Sequence, residues 1–355
     1  MAGNQMTIAQ RFETVKWHPT GFDYLRIALA LGVIVWHSFG LSYGRQYAHE
    51  LALSFAGVLE APIVPMFFAL SGFLVAGSLE RNTLPVFLGL RALRIIPALA
   101  AEVCLSALIL GPLLTMDATR LYFADPKFGA YFLNIVADIH YLLPGVFHGN
   151  PYPDIVNGQL WTVPLESKCY IALAGLAILG IAKRRYFFLA AAITLSLGLW
   201  YLHRGQASDS APLVVGFMAG VAIFRFKNVI PWNRWLALAS LVLMIIAFRL
   251  PGGVYFAGFP TAYLTVWVGL LNPRKIWLIK GADYSYGLYL YGFVIQQAIA
   301  SLLSWSHQWY WNLLLAVPGT ALFAALSWTF VEKPALRVRE MLPSLERSTA
   351  QATAA

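Results

Sequence analysis

Ten long apolar segments, separated by polar ones, are the feature that most constrains what this chain of 355 residues can fold into. An apolar segment of about 20 residues can cross a bilayer as a helix, because a helix satisfies its own backbone polar groups. Only 12% of the residues are charged, which is too few for an ordinary water-soluble domain. The sequence therefore predicts an all-α, polytopic transmembrane bundle of about ten spans. They run roughly over 21–42, 59–79, 93–114, 160–181, 186–202, 210–225, 235–250, 254–271, 283–304 and 311–331.

The basic residues are unevenly distributed between the two sides that these spans define. With the N-terminus in the cytoplasm, nineteen Lys and Arg side chains fall on the inner side and five on the outer side. This asymmetry follows the positive-inside rule and predicts that both termini are cytoplasmic. The formal charge of +9 is then a signal of topology, and we expect no nucleic-acid partner. Cys104 and Cys169 both fall in apolar spans, so we expect neither a disulfide nor a bound metal.

The predicted spans divide the chain into three parts. Residues 1–20 are polar and form a cytoplasmic N-terminal segment, residues 21–334 form the membrane domain, and residues 335–355 form a cytoplasmic tail. The tail ends in STAQATAA, a polar composition that predicts disorder. The connection from Met116 to Gln159 contains HGNPYPDIVNG, so we expect an irregular outer segment that covers a site open to the outside.

Two ionisable residues, Arg26 and His37, lie within the first apolar segment. In a helix, eleven steps separate them by about 16 Å, so with Arg26 near one face His37 lies near the middle of a hydrocarbon core about 30 Å thick. An ionisable group at that depth is costly, which favours a functional role. The structural alternative is a histidine that only bridges two helices by a hydrogen bond. Asp23, three residues before Arg26, shares its helix face and can pair with it.

Arg91 and Arg94 form a second basic pair, in RALRIIP at the predicted cytoplasmic boundary of the third span. They are three residues apart and therefore share a helix face. Two guanidinium groups placed in this way suit phosphate, because each can bind an oxyanion through two hydrogen bonds. The alternative is that they only anchor the helix at the membrane surface.

Glu166 is the carboxylate that we expect near His37. It lies about 9 Å into the fourth span from the outer side, close to the depth calculated for His37. A carboxylate there would orient the imidazole and stabilise its charged form. Two alternatives stay open. Glu166 pairs with Lys168, also buried by hydropathy, or with a helix end and only holds the bundle together, or Glu102 is the partner of His37.

Other polar or small residues in the spans favour structural roles. Ser71 and Gly72 are predicted to let a neighbouring helix approach closely. Glu332 and Pro334 are interpreted as the inner end of the last helix. Neither pair is expected to carry chemistry.

Taken together, these segments resemble the acyltransferase-3 family of bacterial integral membrane acyltransferases. The matching pieces, in family order from Phe22 to Pro334, are FDYLR, FFALSGFL, RALRIIP, LWTVPLE, SYGLYLYGF and FVEKP. No single piece is specific, but the ordered set is. The chain resembles the standalone type, which has no fused esterase-like domain, and LWTVPLESKCY resembles the branch with a proline and a single glutamate.

The resemblance implies a membrane O-acyltransferase, most simply an O-acetyltransferase. Its donor would be cytoplasmic acyl-CoA, acetyl-CoA in the simplest case, and its acceptor a hydroxyl of a cell-envelope or secreted glycan or glycolipid. No permanently bound cofactor is expected. The implied location is the bacterial inner membrane, where polysaccharide-synthesis machinery is an expected partner.

The family's roles transfer to this chain position by position. The resemblance implies that His37 is the catalytic histidine, and Glu166 would support its charged form. It also implies that Arg26, Arg91 and Arg94 bind the acyl-CoA donor. The remaining residues of interest would support these groups; they are Asp23, Glu102 and Trp161.

Two other function classes stay open. A secondary transporter or proton-coupled carrier could use the same buried charges. Against it, the sequence shows no internal repeat and no matched pair of Gly/Pro-broken helices in two halves. The second is a glycan-binding or assembly subunit that carries out no chemistry.

Overall fold

The computed structural model describes residues 6–15, 19–206, 208–276 and 282–338, and these form an all-helical protein. The predicted all-α class is therefore confirmed. Within these ranges strand-like pairing is limited to two isolated bridges. In chain order the α-helices are α1 (Ile8–Thr14), α2 (Gly21–Tyr43), α3 (Arg45–Leu53), α4 (Gly57–Glu60), α5 (Ile63–Arg81), α6 (Leu84–Leu105), α7 (Gly111–Leu114), α8 (Thr119–Ala124), α9 (Pro126–Tyr131), α10 (Thr162–Ile178), α11 (Arg185–Leu202), α12 (Ala211–Arg225), α13 (Arg234–Arg249), α14 (Gly258–Gly269), α15 (Ser285–Leu302), α16 (Trp309–Ser327) and α17 (Lys333–Arg337).

Each of the predicted spans coincides with a helix. Five helical stretches in the described ranges are long and apolar enough to cross a membrane; they are Gly21–Tyr43, Gly57–Arg81, Leu84–Leu114, Arg185–Leu202 and Trp309–Arg337. Ala211–Arg225 is a shorter apolar helix. The count of ten spans and the cytoplasmic placement of both termini stay predictions.

The helix of the third predicted span is α6. It begins at Leu84, nine residues before the predicted start at 93. Hydropathy placed the start too late because Arg91 and Arg94 interrupt an otherwise apolar segment. Pro85 is suited to the first turn of a helix, where its missing N–H removes no hydrogen bond. Both arginines therefore lie within the helix, about two turns after it begins.

The interpretation of Glu332 and Pro334 as a helix end is wrong. The last helix passes through a π-helical turn, Trp328–Glu332, and continues to Arg337. Pro334 lies in the first turn of α17, where the ring is tolerated. The first residues of the predicted tail are thus helical, and residues 339–355 lie outside the described residues, as do 1–5 and 16–18 of the N-terminal segment.

The chain divides into two compact units, each of which is described by itself. The first unit contains Met1–Leu29, Ser54–Leu84 and Lys168–Lys280, and the second contains Ala30–Leu53, Pro85–Ser167 and Gly281–Ala355. α2 contributes its first residues to one unit and the rest to the other. Arg26 therefore belongs to the first unit and His37 to the second.

In the first unit, glycines let α5 and α12 approach at backbone distance. A Cβ atom on Gly72 would lie 2.1 Å from the carbonyl oxygen of Phe217, and one on Gly220 would lie 2.1 Å from the carbonyl oxygen of Ala69. No side chain fits at those distances. The predicted packing role of Gly72 is confirmed.

In the second unit, buried amide side chains join α15 to its neighbours. Gln296 Nε2 donates to the carbonyl oxygen of Ile34 on α2 (3.0 Å) and to Asn312 Oδ1 on α16 (3.1 Å). Asn312 Nδ2 donates back to the carbonyl oxygen of Gln296 (3.0 Å). Such hydrogen bonds stabilise helix pairs in apolar surroundings, where no water competes for the polar groups.

The long connection 116–159 contains α8, α9 and a turn of 3₁₀ helix before an irregular stretch. Buried amides fix the irregular part to α15. Asn150 Nδ2 donates to Gln297 Oε1 (2.7 Å), and Gln297 Nε2 donates to the carbonyl oxygens of Tyr152 (2.7 Å) and Ile155 (2.8 Å). The connection is therefore an ordered part of the second unit.

Candidate functional site

Arg26 and His37 both lie on α2, a continuous helix of 23 residues. Eleven helical steps correspond to a rise of about 16 Å. Asp23 stands in the first turn of α2, where a carboxylate is favoured by the positive end of the helix dipole.

The side chain of Asp23 is flanked by two cations. Its Oδ1 lies 3.8 Å from Arg26 Nη1, and its Oδ2 lies 2.7 Å from Lys275 Nζ. The predicted pairing of Asp23 with Arg26 is confirmed, and the closer contact is with Lys275. Asp23 thus holds two cationic side chains beside one another.

A cavity of about 260 Å³ opens next to these groups. Its charged lining consists of three cations and one carboxylate, namely Arg26, Arg81, Lys275 and Asp23. Arg81 is exposed and makes no ion pair with any residue that the structure describes. The cavity therefore carries net positive charge and suits an anion.

Four phenylalanines complete the cavity wall. The ring of Phe73 lies 5.9 Å from those of Phe12 and Phe22 and 5.4 Å from that of Phe224, centroid to centroid. Tilted and edge-on rings at these separations pack favourably and leave an apolar surface beside the cations. A ligand that joins a planar ring to an anion could place the ring against the phenylalanines and the anion against the cations.

Gly77 keeps this cavity open. A Cβ atom at Gly77 would lie 3.0 Å from the ring of Phe224 and 3.3 Å from Arg81 Nη1. Either neighbour would have to move to admit even a methyl group. Sequence reasoning missed Arg81 and Lys275 as site residues, because both were counted only as topology signals at the ends of spans.

In the second unit, His37 packs against an aromatic ring. The imidazole meets Phe293 edge-on, with ring centroids 5.1 Å apart and an interplanar angle of 81°. Its Nδ1 atom is buried and has no hydrogen-bond partner among the described residues. The expected hydrogen bond between the His37 imidazole and the carboxylate of Glu166 or Glu102 is not formed. The imidazole is held by packing rather than by a carboxylate.

Glu102 is fully buried and has other partners. Its Oε1 accepts hydrogen bonds from Ser106 Oγ (2.8 Å) and from Asn157 Nδ2 (2.9 Å). Asn157 Nδ2 also donates to the carbonyl oxygen of Leu290 on α15 (2.8 Å). Glu102 therefore joins α6 to the end of the 116–159 connection.

Arg94 lies between two carboxylates. Its guanidinium is 3.0 Å from Asp283 Oδ2 and 3.5 Å from Glu332 Oε2, and it stands 5.2 Å above the ring centre of Tyr286. Glu166 is close enough to act electrostatically on Arg94. The structure thus places Arg94 in acidic surroundings, and His37 forms no hydrogen bond with Glu166.

Three further residues that the sequence singled out are Arg91, Trp161 and Lys168. Arg91 is half-buried on α6, three residues before Arg94. Trp161 is half-buried and ends the 3₁₀ turn Gly158–Trp161. Lys168 is exposed on the surface of α10, and its place within a membrane span stays a prediction.

A side chain that sequence reasoning missed is Gln159, in the turn before α10. It is 2% exposed, and both of its side-chain polar atoms are buried with no hydrogen-bond partner among the described residues. The turn itself is well held, because Tyr289 donates to the carbonyl oxygen of Gln159 (3.1 Å) and hydrogen-bonds the Thr162 hydroxyl (2.8 Å). Only its place next to the motif LWTVPLE could have drawn attention to it.

Comparisons with known proteins agree with the resemblance noted from the motifs. The chain matches the family described as an acyltransferase domain over residues 20–332. It is 29% identical over 335 residues to a protein of Shigella phage Sf6 named O-acetyl transferase, covering 88% of this chain and 94% of that protein. It is 27% identical over 374 residues to Nodulation protein 10 of Rhizobium leguminosarum bv. viciae, covering 94% and 97%. No solved structure matches the chain.

Proposed function

Because this chain belongs to the acyltransferase-3 family, we propose that it is a membrane O-acyltransferase that uses acyl-CoA as its donor. Acetyl is the proposed group, and a hydroxyl of a cell-envelope or secreted glycan or glycolipid is the proposed acceptor. The phage relative named O-acetyl transferase supports both the acetyl group and the oxygen acceptor. The observation that carries the donor assignment is the cationic cavity lined by phenylalanines beside Arg26.

Coenzyme A combines phosphates with a planar adenine at one end. Arg26, Arg81 and Lys275 would bind the phosphate oxygens through charge-assisted hydrogen bonds. The phenylalanines around Phe73 would pack against the adenine. Asp23 acts as a positioning residue, because it already holds Arg26 and Lys275 in place. These side chains lie in segments that the charge distribution assigns to the cytoplasmic side.

Arg91 and Arg94 stay predicted as a second basic pair for the donor. A phosphate would have to compete with Asp283 and Glu332 for Arg94, which lowers the gain from binding there. We therefore assign the phosphates first to the cavity beside Arg26.

His37 is the proposed general base. It lies about 16 Å further along α2 than Arg26, and the long, thin pantetheine arm would carry the thioester over a comparable distance. The imidazole would take the proton of the acceptor hydroxyl as its oxygen attacks the thioester carbonyl, and would return that proton to the departing thiolate. Glu166 stays the predicted stabiliser of the charged imidazole, a role that requires it to approach His37 when the substrates are bound.

Acid–base assistance of this kind is worth about 10²- to 10⁴-fold in rate, so positioning must supply much of the remainder. A membrane-embedded site would supply it by holding the thioester and the hydroxyl together away from water. We assign the protein to the bacterial inner membrane, with polysaccharide-synthesis machinery as its proposed source of acceptor.

The proposal is tested with purified protein in nanodiscs, acetyl-CoA, and glycan from a strain that lacks the gene. We expect the wild type to release coenzyme A and to form acetyl esters, and we expect His37→Ala to do neither while still inserting normally. His49→Ala, at an exposed histidine of α3, is the matched control and should retain activity. Ester formation by His37→Ala at the wild-type rate would contradict the assignment. Uptake of a sugar or ion without acetyl-CoA would instead support the transporter alternative.

A further inference from the structure

Several buried hydroxyl groups also lack a hydrogen-bond partner, but among the buried amide side chains in the described part of the chain Gln159 differs from the rest. It is the only one there whose polar side-chain atoms, Nε2 and Oε1, are both buried without a hydrogen-bond partner. A buried amide normally finds partners, because its hydrogen bonds to water are lost on folding. The unpaired amide of Gln159 therefore indicates a hydrogen bond to a bound substrate.

The other buried amides of the second unit show what a structural role looks like. Gln296 donates to Ile34 and Asn312, Gln297 donates to two carbonyl oxygens, and Asn157 donates to Glu102 and Leu290. Each of them joins two or more segments. Gln159 joins none through its side chain, although its backbone is firmly held.

The amide of Gln159 lies beside the part of α2 that carries His37. A Cβ atom placed on Gly292 would lie 3.9 Å from Gln159 Nε2 and 2.8 Å from Ile34 Cγ1. Ile34 is one helical turn before His37 and shares its face. Phe293, the next residue after Gly292, packs against the His37 ring.

The two groups are also linked through Gly158. A Cβ atom at Gly158 would lie 2.9 Å from the ring of Phe293, so the residue before Gln159 touches the same ring as His37. The amide of Gln159 therefore lies beside Gly292, and the imidazole of His37 lies against Phe293, the next residue of α15. Each presents a buried nitrogen without a partner among the described residues.

We propose that Gln159 is a further catalytic residue, whose Nε2–H donates a hydrogen bond to the thioester carbonyl oxygen as negative charge develops on it. The inference rests on the proposed acyl transfer. In that step the acceptor oxygen forms a bond to the acyl carbon, its proton passes to His37, and the carbonyl electron pair moves onto oxygen. Collapse reforms the carbonyl, breaks the carbon–sulfur bond, and transfers the proton from His37 to the coenzyme A thiolate.

A neutral amide suits this role better than a charged side chain would. It is already placed in a dry environment, so no water has to be reorganised when the charge appears on the carbonyl oxygen. Removal of a single donor of this kind lowers the turnover rate by about 10²- to 10³-fold. Binding of the donor in its ground state changes little, because the interaction strengthens only as charge develops.

The test compares Gln159→Met with Gln296→Met in nanodiscs. Methionine is similar in length to glutamine and cannot donate a hydrogen bond, so it removes the amide while it fills the space. We expect Gln159→Met to lower kcat by about 10²-fold with the KM for acetyl-CoA within about threefold of wild type. We expect its melting temperature to equal or exceed that of the wild type, because an unsatisfied amide has been removed. Gln296→Met, which removes the two hydrogen bonds that Gln296 Nε2 donates to Ile34 and Asn312, should lower the melting temperature.

Each other outcome overturns the inference. A wild-type kcat in Gln159→Met removes the amide from the reaction. A melting temperature as low as that of Gln296→Met, or failure to fold, makes Gln159 structural. A raised KM for the glycan with an unchanged kcat makes it an acceptor contact. Absence of acetyl transfer by the wild type itself would instead refute the proposed function, so the two failures are distinguishable.

Discussion

The guanidinium of Arg94 lies 3.5 Å from the carboxylate of Glu332, which is almost completely buried. A buried carboxylate that loses its cationic partner is left with an unpaired charge, which typically destabilises a protein by about 3 kcal/mol or more. We therefore expect Arg94→Ala to lower the melting temperature clearly more than Arg91→Ala.

Differential scanning fluorimetry in detergent checks this prediction. The family resemblance makes a different prediction for the same variants, namely a raised KM for acetyl-CoA in both. If Arg94→Ala keeps the wild-type melting temperature and raises that KM, its main role is in donor binding. If it only loses stability, the ion pairs with Asp283 and Glu332 are its main role.

The cationic cavity makes a prediction about donor affinity. Each charge-assisted hydrogen bond to phosphate contributes about 1.5–3 kcal/mol, so Arg81→Ala and Lys275→Ala should each raise the KM for acetyl-CoA about tenfold or more. The kcat should stay close to the wild-type value, because neither side chain touches the reacting atoms. The measurement is a series of initial rates over acetyl-CoA concentration at low and high salt, since screening should weaken donor binding to the wild type more than to the variants.

Arg120→Ala provides the matched control for this series. Arg120 is an exposed cation on α8, in the connection that is predicted to lie outside the membrane. It changes the net charge by the same amount without touching the cavity. An equal loss of donor affinity in this variant would show that the effect comes from overall charge rather than from the cavity.

Gly77 gives a steric test of the same cavity. A methyl group there would lie 3.0 Å from the Phe224 ring and 3.3 Å from Arg81, so Gly77→Ala should displace one of them and reduce the affinity for coenzyme A severalfold. Calorimetric titration of the protein in nanodiscs with coenzyme A measures that affinity. Gly175→Ala, at a helical glycine with nothing within 4 Å of its Cβ position, should bind coenzyme A as the wild type does. Both substitutions favour the helix by about 1 kcal/mol, so a difference in binding reports the cavity alone.

Much of the fold could be predicted because hydropathy reports helices directly in a membrane protein. The segment 160–181, for example, contains the whole of α10. The predicted start of α6 was too late because Arg91 and Arg94 lower the hydropathy of its first turns, although the helix continues through both residues. The continuation of the last helix beyond Pro334 was missed because a proline in a first turn and a proline that ends a helix look alike in sequence.

The candidate site was less predictable, because its partners are distant along the chain. The spacing of Asp23 and Arg26 on one helix was sufficient to predict their contact, whereas Lys275 comes from a segment about 250 residues later. Depth in the membrane suggested that Glu166 meets His37, but depth says nothing about which way a helix face points. In the described part of the chain no hydrogen bond joins Glu166 to His37.

The buried pair of Asn157 and Glu102 yields a prediction about the stability of the second unit. Asn157 Nδ2 donates to Glu102 Oε1 (2.9 Å) and to the carbonyl oxygen of Leu290 (2.8 Å), and both residues are fully buried. Asn157→Ala leaves the carboxyl group and the carbonyl each short of a donor, at a cost of about 1–3 kcal/mol for each group. We expect a lower melting temperature and faster proteolysis in the 116–159 connection, since Asn157 anchors its end. Asn228→Ala, at an exposed asparagine, is the control, and equal melting temperatures for the two variants would show that the Asn157 hydrogen bonds do not hold the connection in place.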